Sequence, residues 1–194
     1  MQAELIKQIS VTIGKSKVVS LSQILANKHT DITELIDLTF HADKGVAFRA
    51  AWLLENILLK QPDNFLSYIA PIISRFKEVS NPSCKRHYAK ILMHLTAPGA
   101  SQAVRQKLTD VDLQPAIEQC FDWMIDPNVM VAVKSFASEG LFNMRHRYPW
   151  IADELPDQLT YLMRDGTAAI RSKGRRLLSY LDPEHGMIIN KRLK

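Results

Sequence analysis

Near the C-terminal end of the chain, Arg171 and Arg175 stand four residues apart, with Lys173 and Arg176 beside them. Residues four apart share one helical face. The apolar set Ile170, Gly174, Leu177 and Leu181 lies elsewhere on the same helix and leaves these bases to solvent. Such a cluster attracts phosphates or acidic protein segments. Arg86, Lys90 and Lys134, on earlier helical segments, are candidates to join it. The plain alternative is ordinary solvated charge, with Arg171 tying a turn.

The segment Asn143-Met144-Arg145-His146-Arg147-Tyr148-Pro149-Trp150 mixes bases with two aromatics. Aromatics interleaved with arginine can stack on nucleobases. The alternative is a helix end followed by a loop, with Trp150 anchoring it to the core. Trp52 and Trp123 sit in apolar helical stretches and read as core. Cys84, His87 and His94 repeat at i, i+3 and i+10, so two ligands could converge. Zinc wants three or four, and no HExxH or paired-cysteine motif is present. His41 beside Asp43 reads as a local polar contact. Glu55, Glu118, Asp122 and Glu139 fall on helices without a GxSxG, P-loop or GxGxxG motif to give them a reaction. Glu139 reads as a surface or inter-repeat ion pair. No catalytic residue, metal ligand or cofactor is expected.

The elements that position these residues are helical. The chain has 194 residues, 46% of them hydrophobic and 23% charged, which suits one domain spanning 1–194 with an adequate core. Only 7 Gly and 9 Pro occur, and no tract reads as a linker. Cys84 and Cys120 read as reduced, buried thiols, which with the absence of a signal-peptide pattern suggests a cytoplasmic protein. No apolar run approaches the ~20 residues that span a bilayer. Residues 1–163 hold 17 Lys/Arg and 17 Asp/Glu, whereas residues 164–194 hold 8 and 3. The whole formal excess of +5 therefore sits at the C-terminal end.

Three proline-bearing segments resemble one another: Ile69-Ala70-Pro71-Ile72-Ile73, Leu113-Gln114-Pro115-Ala116-Ile117 and Leu155-Pro156-Asp157-Gln158-Leu159. Each continues as an amphipathic helix and then meets Asn81-Pro82, Asp126-Pro127 or Asp165-Gly166. Asn and Asp accept bonds from the orphan N–H groups of a helix start, and proline loses nothing at the first helical position. A second helix is therefore expected directly after each signal. Each second helix carries a base followed three residues later by a small residue: Arg86 and Ala89, Lys134 and Ala137, Arg171 and Gly174. Asp43-Lys44-Gly45 with Arg49 forms an earlier, degenerate copy. The bases fall 37, 48 and 37 residues apart and the prolines 44 and 41, against helical-hairpin periods of ~34 to ~47. An insertion over 96–112, with Pro98-Gly99, accounts for the long gap.

This pattern resembles the HEAT repeat family: proline in the first helix, Asp or Asn at the turn, then an apolar-base pair such as Phe48-Arg49, Val133-Lys134 or Ile170-Arg171. The resemblance covers roughly residues 31–181. It implies an all-α, right-handed α-α superhelix of about four hairpins, with second helices on the concave side and some of the bases aimed inward. Residues 1–30 would form a capping pair of helices, carried by Ile6, Ile9 and Ile13 and by Val18, Leu21 and Leu25. A hairpin around Gly14 is the alternative for 11–19. Asp31-Ile32-Thr33-Glu34 reads as a capping box, and 182–194 as a short helix or basic tail.

Solenoids host many functions. The first expectation is a non-enzymatic module that binds a protein or peptide along the concave face. The alternative is nucleic-acid binding, since the chain is similar in size, basicity and repeat type to the HEAT-like alkylpurine DNA glycosylases. It shows no matching aromatic-plus-acid constellation, so no catalytic residue carries over. A third expectation is self-association through an N-terminal patch of Ile6, Ile9, Ile13, Val18 and Val19. No membrane partner is expected.

Overall fold

The computed structural model describes residues 2–11, 14–27 and 31–181. Among the described residues every element is helical: α1 (Gln2–Ile9), α2 (Lys15–Asn27), α3 (Thr33–Leu38), α4 (Lys44–Lys60), α5 (Ile69–Ser74), α6 (Pro82–Leu95), α7 (Gln102–Thr109), α8 (Gln114–Ile125), α9 (Val131–Met144), α10 (Trp150–Arg164) and α11 (Ala168–Leu181). Single 3-10 segments, Pro62–Tyr68 and Phe76–Glu78, flank α5. Local chemistry starts several of these helices. The Asp43 carboxylate accepts from the N–H groups of Gly45 and Val46 at 2.7 and 2.9 Å. Asn81 accepts from Ser83 N–H at 3.0 Å, and Pro82 fills the first position of α6.

The second helices stack in chain order, α4 on α6 on α9 on α11, with α2 packed on α4 as an N-terminal cap. The first helices make the opposite layer: α3, the broken segment around α5, α8 and α10. The result is an α-α solenoid of four hairpins. Apolar stripes from both layers meet between them. An aromatic relay marks this core. Phe76 lies 5.4 Å from Tyr88 and 5.8 Å from Trp123, ring centre to ring centre, and Tyr88 also meets Phe40 at 6.0 Å. The buried Tyr88 hydroxyl pairs with Thr39 Oγ1 at 2.7 Å, and burial pushes its pKa up.

Several local expectations are corrected. The prolines do not mark equivalent points: Pro115 is in the first turn of α8, but Pro156 lies inside α10, which begins at Trp150. The second helix after Asp126-Pro127 starts only at Val131, because Asp126 turns the chain by accepting from Asn128 N–H at 2.8 Å. Asp31 accepts from Thr33 N–H at 2.8 Å, an Asx turn rather than a reciprocal capping box. The insertion folds as a helix of its own, α7, capped by Ser101 onto Val104 N–H at 3.1 Å. Residues 15–27 are helical and so exclude a hairpin there. Ile9 and Val18 are fully buried, which removes them from any self-association patch, while among the described residues at that end Val11 and Ile24 are exposed large apolar side chains. Trp123 is core, but Trp52 is only half-buried. Ile13 and the tail 182–194 lie outside the described residues.

Candidate binding surface

The second-helix layer is cross-braced by two carboxylates. Glu55 of α4 is 5% exposed. It meets His87 Nδ1 and Lys90 Nζ of α6, each at 2.6 Å. Burial pushes the Glu55 carboxyl up, but the hydrogen bonds from His87 and Lys90 outweigh it and hold the group below the usual range. Glu139 of α9 repeats the device two junctions later, accepting from Lys173 Nζ at 2.5 Å and Arg176 Nη2 at 2.7 Å of α11. Its carboxyl is likewise lowered, with burial again opposing. In both braces the two bases sit three residues apart on the next second helix. The other junctions use amide and carbonyl groups. Asn143 Nδ2 donates to the Met93 carbonyl at 3.3 Å between α9 and α6. The Arg49 guanidinium donates to the carbonyls of Ile9 and Ser10 at the end of α1.

Half-buried aromatics lie among these braces. Phe48 stacks on Trp52 at 5.8 Å and touches the His87 ring at 5.5 Å. Lys173 Nζ sits 5.9 Å from the Phe136 ring centre. Phe142 pairs with the exposed Tyr180 at 6.0 Å and carries Arg145 over its face at 3.7 Å. Offset ring pairs and cation-π contacts of this kind leave faces and edges open to a further apolar group.

The seven sequence-predicted bases have different fates. Lys90, Lys173 and Arg176 are held by the two glutamates. Arg86 is exposed, Arg171 is half-buried, and Arg175 is half-buried with its Nε unbonded. Lys134 is 9% exposed and turned toward the turns rather than along the layer. The four bases aligned from sequence are therefore not equivalent. Counted from the first buried residue of each helix, Val46, Cys84, Val133 and Ile170, they stand three, two, one and one residues on. Each single step turns a side chain by about 100°.

The segment 143–150 is structural. Arg147 donates to the carbonyls of Leu108, Thr109 and Val111, pinning the end of α7 to the α9–α10 turn. Arg145 closes its own helix on the Phe142 carbonyl at 2.7 Å. Trp150 opens α10, stacked on Phe121 at 5.5 Å and 38% exposed. His41 Nδ1 accepts from the Asp43 N–H at 3.0 Å, the local contact its spacing suggests.

Cys84 and Cys120 are free and buried, and burial pushes the Cys84 thiol up to about 12. His87 is spent on Glu55, and among the described residues no three His, Cys, Asp or Glu side chains gather around a metal-sized space. Among the described residues no helix is long and apolar enough to cross a membrane. The Glu139 brace is the inter-repeat ion pair its sequence suggests, whereas the Glu55 brace escaped the sequence reading, although a signal was present: an acid followed 32 and 35 residues later by bases in one case, and 34 and 37 in the other. That is one repeat length.

A family model described as the HEAT repeat domain matches residues 5–181. Comparison with curated proteins and with solved structures finds no match. The braces from second helix to second helix, the stacked layers and this match agree, and the chain belongs to the HEAT repeat domain family.

Proposed function

We propose that the chain is a non-enzymatic interaction module that holds a protein or peptide segment along its second-helix layer. The observation that carries this reading is the brace geometry. Three of the cations that would otherwise offer themselves to phosphates are engaged by Glu55 and Glu139, and half-buried aromatics stand between them. Phosphate binding needs free cations that displace the counterions condensed on the nucleic acid. Side chains of a peptide instead use aromatic area and a limited number of polar contacts.

The test is capture of partners by the tagged chain from native extract, with and without nuclease, washed at two salt concentrations. A defined protein that survives nuclease and high salt, and is lost from Trp52→Ala and Tyr180→Ala variants, is the expected result. Retention of nucleic acid alone, at low salt alone, overturns it in favour of the nucleic-acid alternative.

A further inference from the structure

Along the chain the surplus of positive charge sits at the C-terminal end, but the fold sorts charge by layer. The second helices α2, α4, α6, α9 and α11 carry 13 Lys/Arg and 2 Asp/Glu. In the opposite layer α3, α8, α10 and residues 62–78 carry 3 and 9. The two acids of the second helices are Glu55 and Glu139, and each is already held by two groups of the next helix. Among the described residues the second helices therefore present no unmatched carboxylate. The field over their layer is positive, and it favours an acidic partner there over a neutral or basic one.

The side chains on the open face of this layer fall into rows. Arg86 and Lys90 stand four residues apart on α6 and share one face. Arg86 is exposed and, among the described residues, has no ion-pair or hydrogen-bond partner. On α11, Lys173 and Arg176 together meet only the Glu139 carboxylate, which leaves one positive charge in excess. The Arg176 side chain is 49% exposed and can accept a second carboxylate. Between these basic rows α9 carries the half-buried Phe136, three residues before Glu139 and 5.9 Å from Lys173 Nζ. On the far side of α6, α4 carries the stacked pair Phe48 and Trp52. Aromatic and basic rows thus alternate across α4, α6, α9 and α11.

We infer that the second-helix layer recognises an acidic peptide segment laid across its helices. One carboxylate meets Arg86 of α6, a second meets Arg176 and Lys173 of α11, and an apolar side chain between them rests on Phe136. This deepens the reading of the layer as a peptide-binding face and rests on it. Packed helices lie about 8–10 Å apart. The two basic rows, two helices apart, are therefore bridged by about five or six residues of extended chain at about 3.3 Å each. Nucleic acid suits the same field but not the same rows. Its backbone carries a charge at every nucleotide, and over α9 those charges would meet Glu139 and Phe136, where a peptide can place a neutral residue.

The experiment uses the full chain and an array of peptides in which two glutamates flank a phenylalanine at graded separations. Matched sets carry glutamine or lysine in place of both glutamates, and an oligothymidylate is the nucleic-acid probe. Affinities are measured by fluorescence anisotropy at two salt concentrations. Glutamate peptides with a separation of about five or six residues should be selected, and their binding should weaken as salt rises. Arg86→Glu and Arg176→Gln should each weaken it about tenfold. Both positions are exposed, so the fold is kept. Arg164→Glu, exposed on α10 in the opposite layer, should leave it unchanged. Equal binding of the glutamine set overturns the acidic partner while leaving a peptide-binding face in place. Capture of the oligothymidylate with no peptide bound overturns both. Undiminished binding by Arg86→Glu, an equal loss in Arg164→Glu, or no selected peptide at all overturns the inference.

Discussion

Glu55 shows how a buried charge is tolerated in an apolar repeat. Its two oxygens are each met at 2.6 Å by a group from α6, so the charge is shared rather than stranded. Because the folded carboxyl titrates below the unfolded value of about 4.3, its contribution is complete above that pH. It is lost as pH falls through the folded value. Glu55→Gln should cost about 1–3 kcal/mol at neutral pH. Urea unfolding as a function of pH checks this. The gap between wild type and variant should close as the solution is made more acidic than about pH 4.3, and a gap independent of pH would remove Glu55 from the account.

At the scale of elements, how closely two helices approach decides what a residue tolerates. Gly140 of α9 faces α6, and a methyl added there would meet Leu92 at 3.6 Å and Met93 N at 3.7 Å, ordinary contact. Gly140→Ala should therefore stabilise, by about 0.5–1 kcal/mol, since a helical glycine gives up backbone entropy. Gly174 of α11 faces α10, and the same methyl would lie 2.6 Å from Met163 Sδ and 2.8 Å from its Cγ. Met163 is buried, so its thioether would have to shift within the packed core. Gly174→Ala should lose about 1–3 kcal/mol to overpacking, more than the helical gain returns. Denaturant midpoints of the two variants should move in opposite directions. Gly174 reads simply as a small residue in the sequence, because the distance to the neighbouring helix is not a property of the helix that carries it.

For the molecule as a whole, the solenoid makes stability a matter of neighbours. The central helices α6 and α9 pack against one another and each is also braced on its other side, by α4 or by α11. Among the described residues the outermost helices, α1 and α11, have only one repeat to lean on. Amide hydrogen exchange should show α6 and α9 opening at the global free energy. Values should fall toward zero through α2 and α1 at one end and α11 at the other. Uniform protection along the chain would mean that the repeats unfold as a single unit.

Sequence alone determined the helical class, the hairpin period, the insertion and most turn positions. These signals are local: a 3.6-residue period and caps acting across two to four residues. Hence Asp43 and Asn81 start helices where their types place them. Tertiary structure alone decided which bases are free. Lys90, Lys173 and Arg176 are engaged because a glutamate 34 to 37 residues earlier arrives beside them when the repeats stack. Arg86 stands exposed while Lys134 is directed toward the turns because their helices differ by one residue in register. That step rotates a side chain by about 100°, and the packing of neighbouring helices, not the helix itself, sets which direction faces inward.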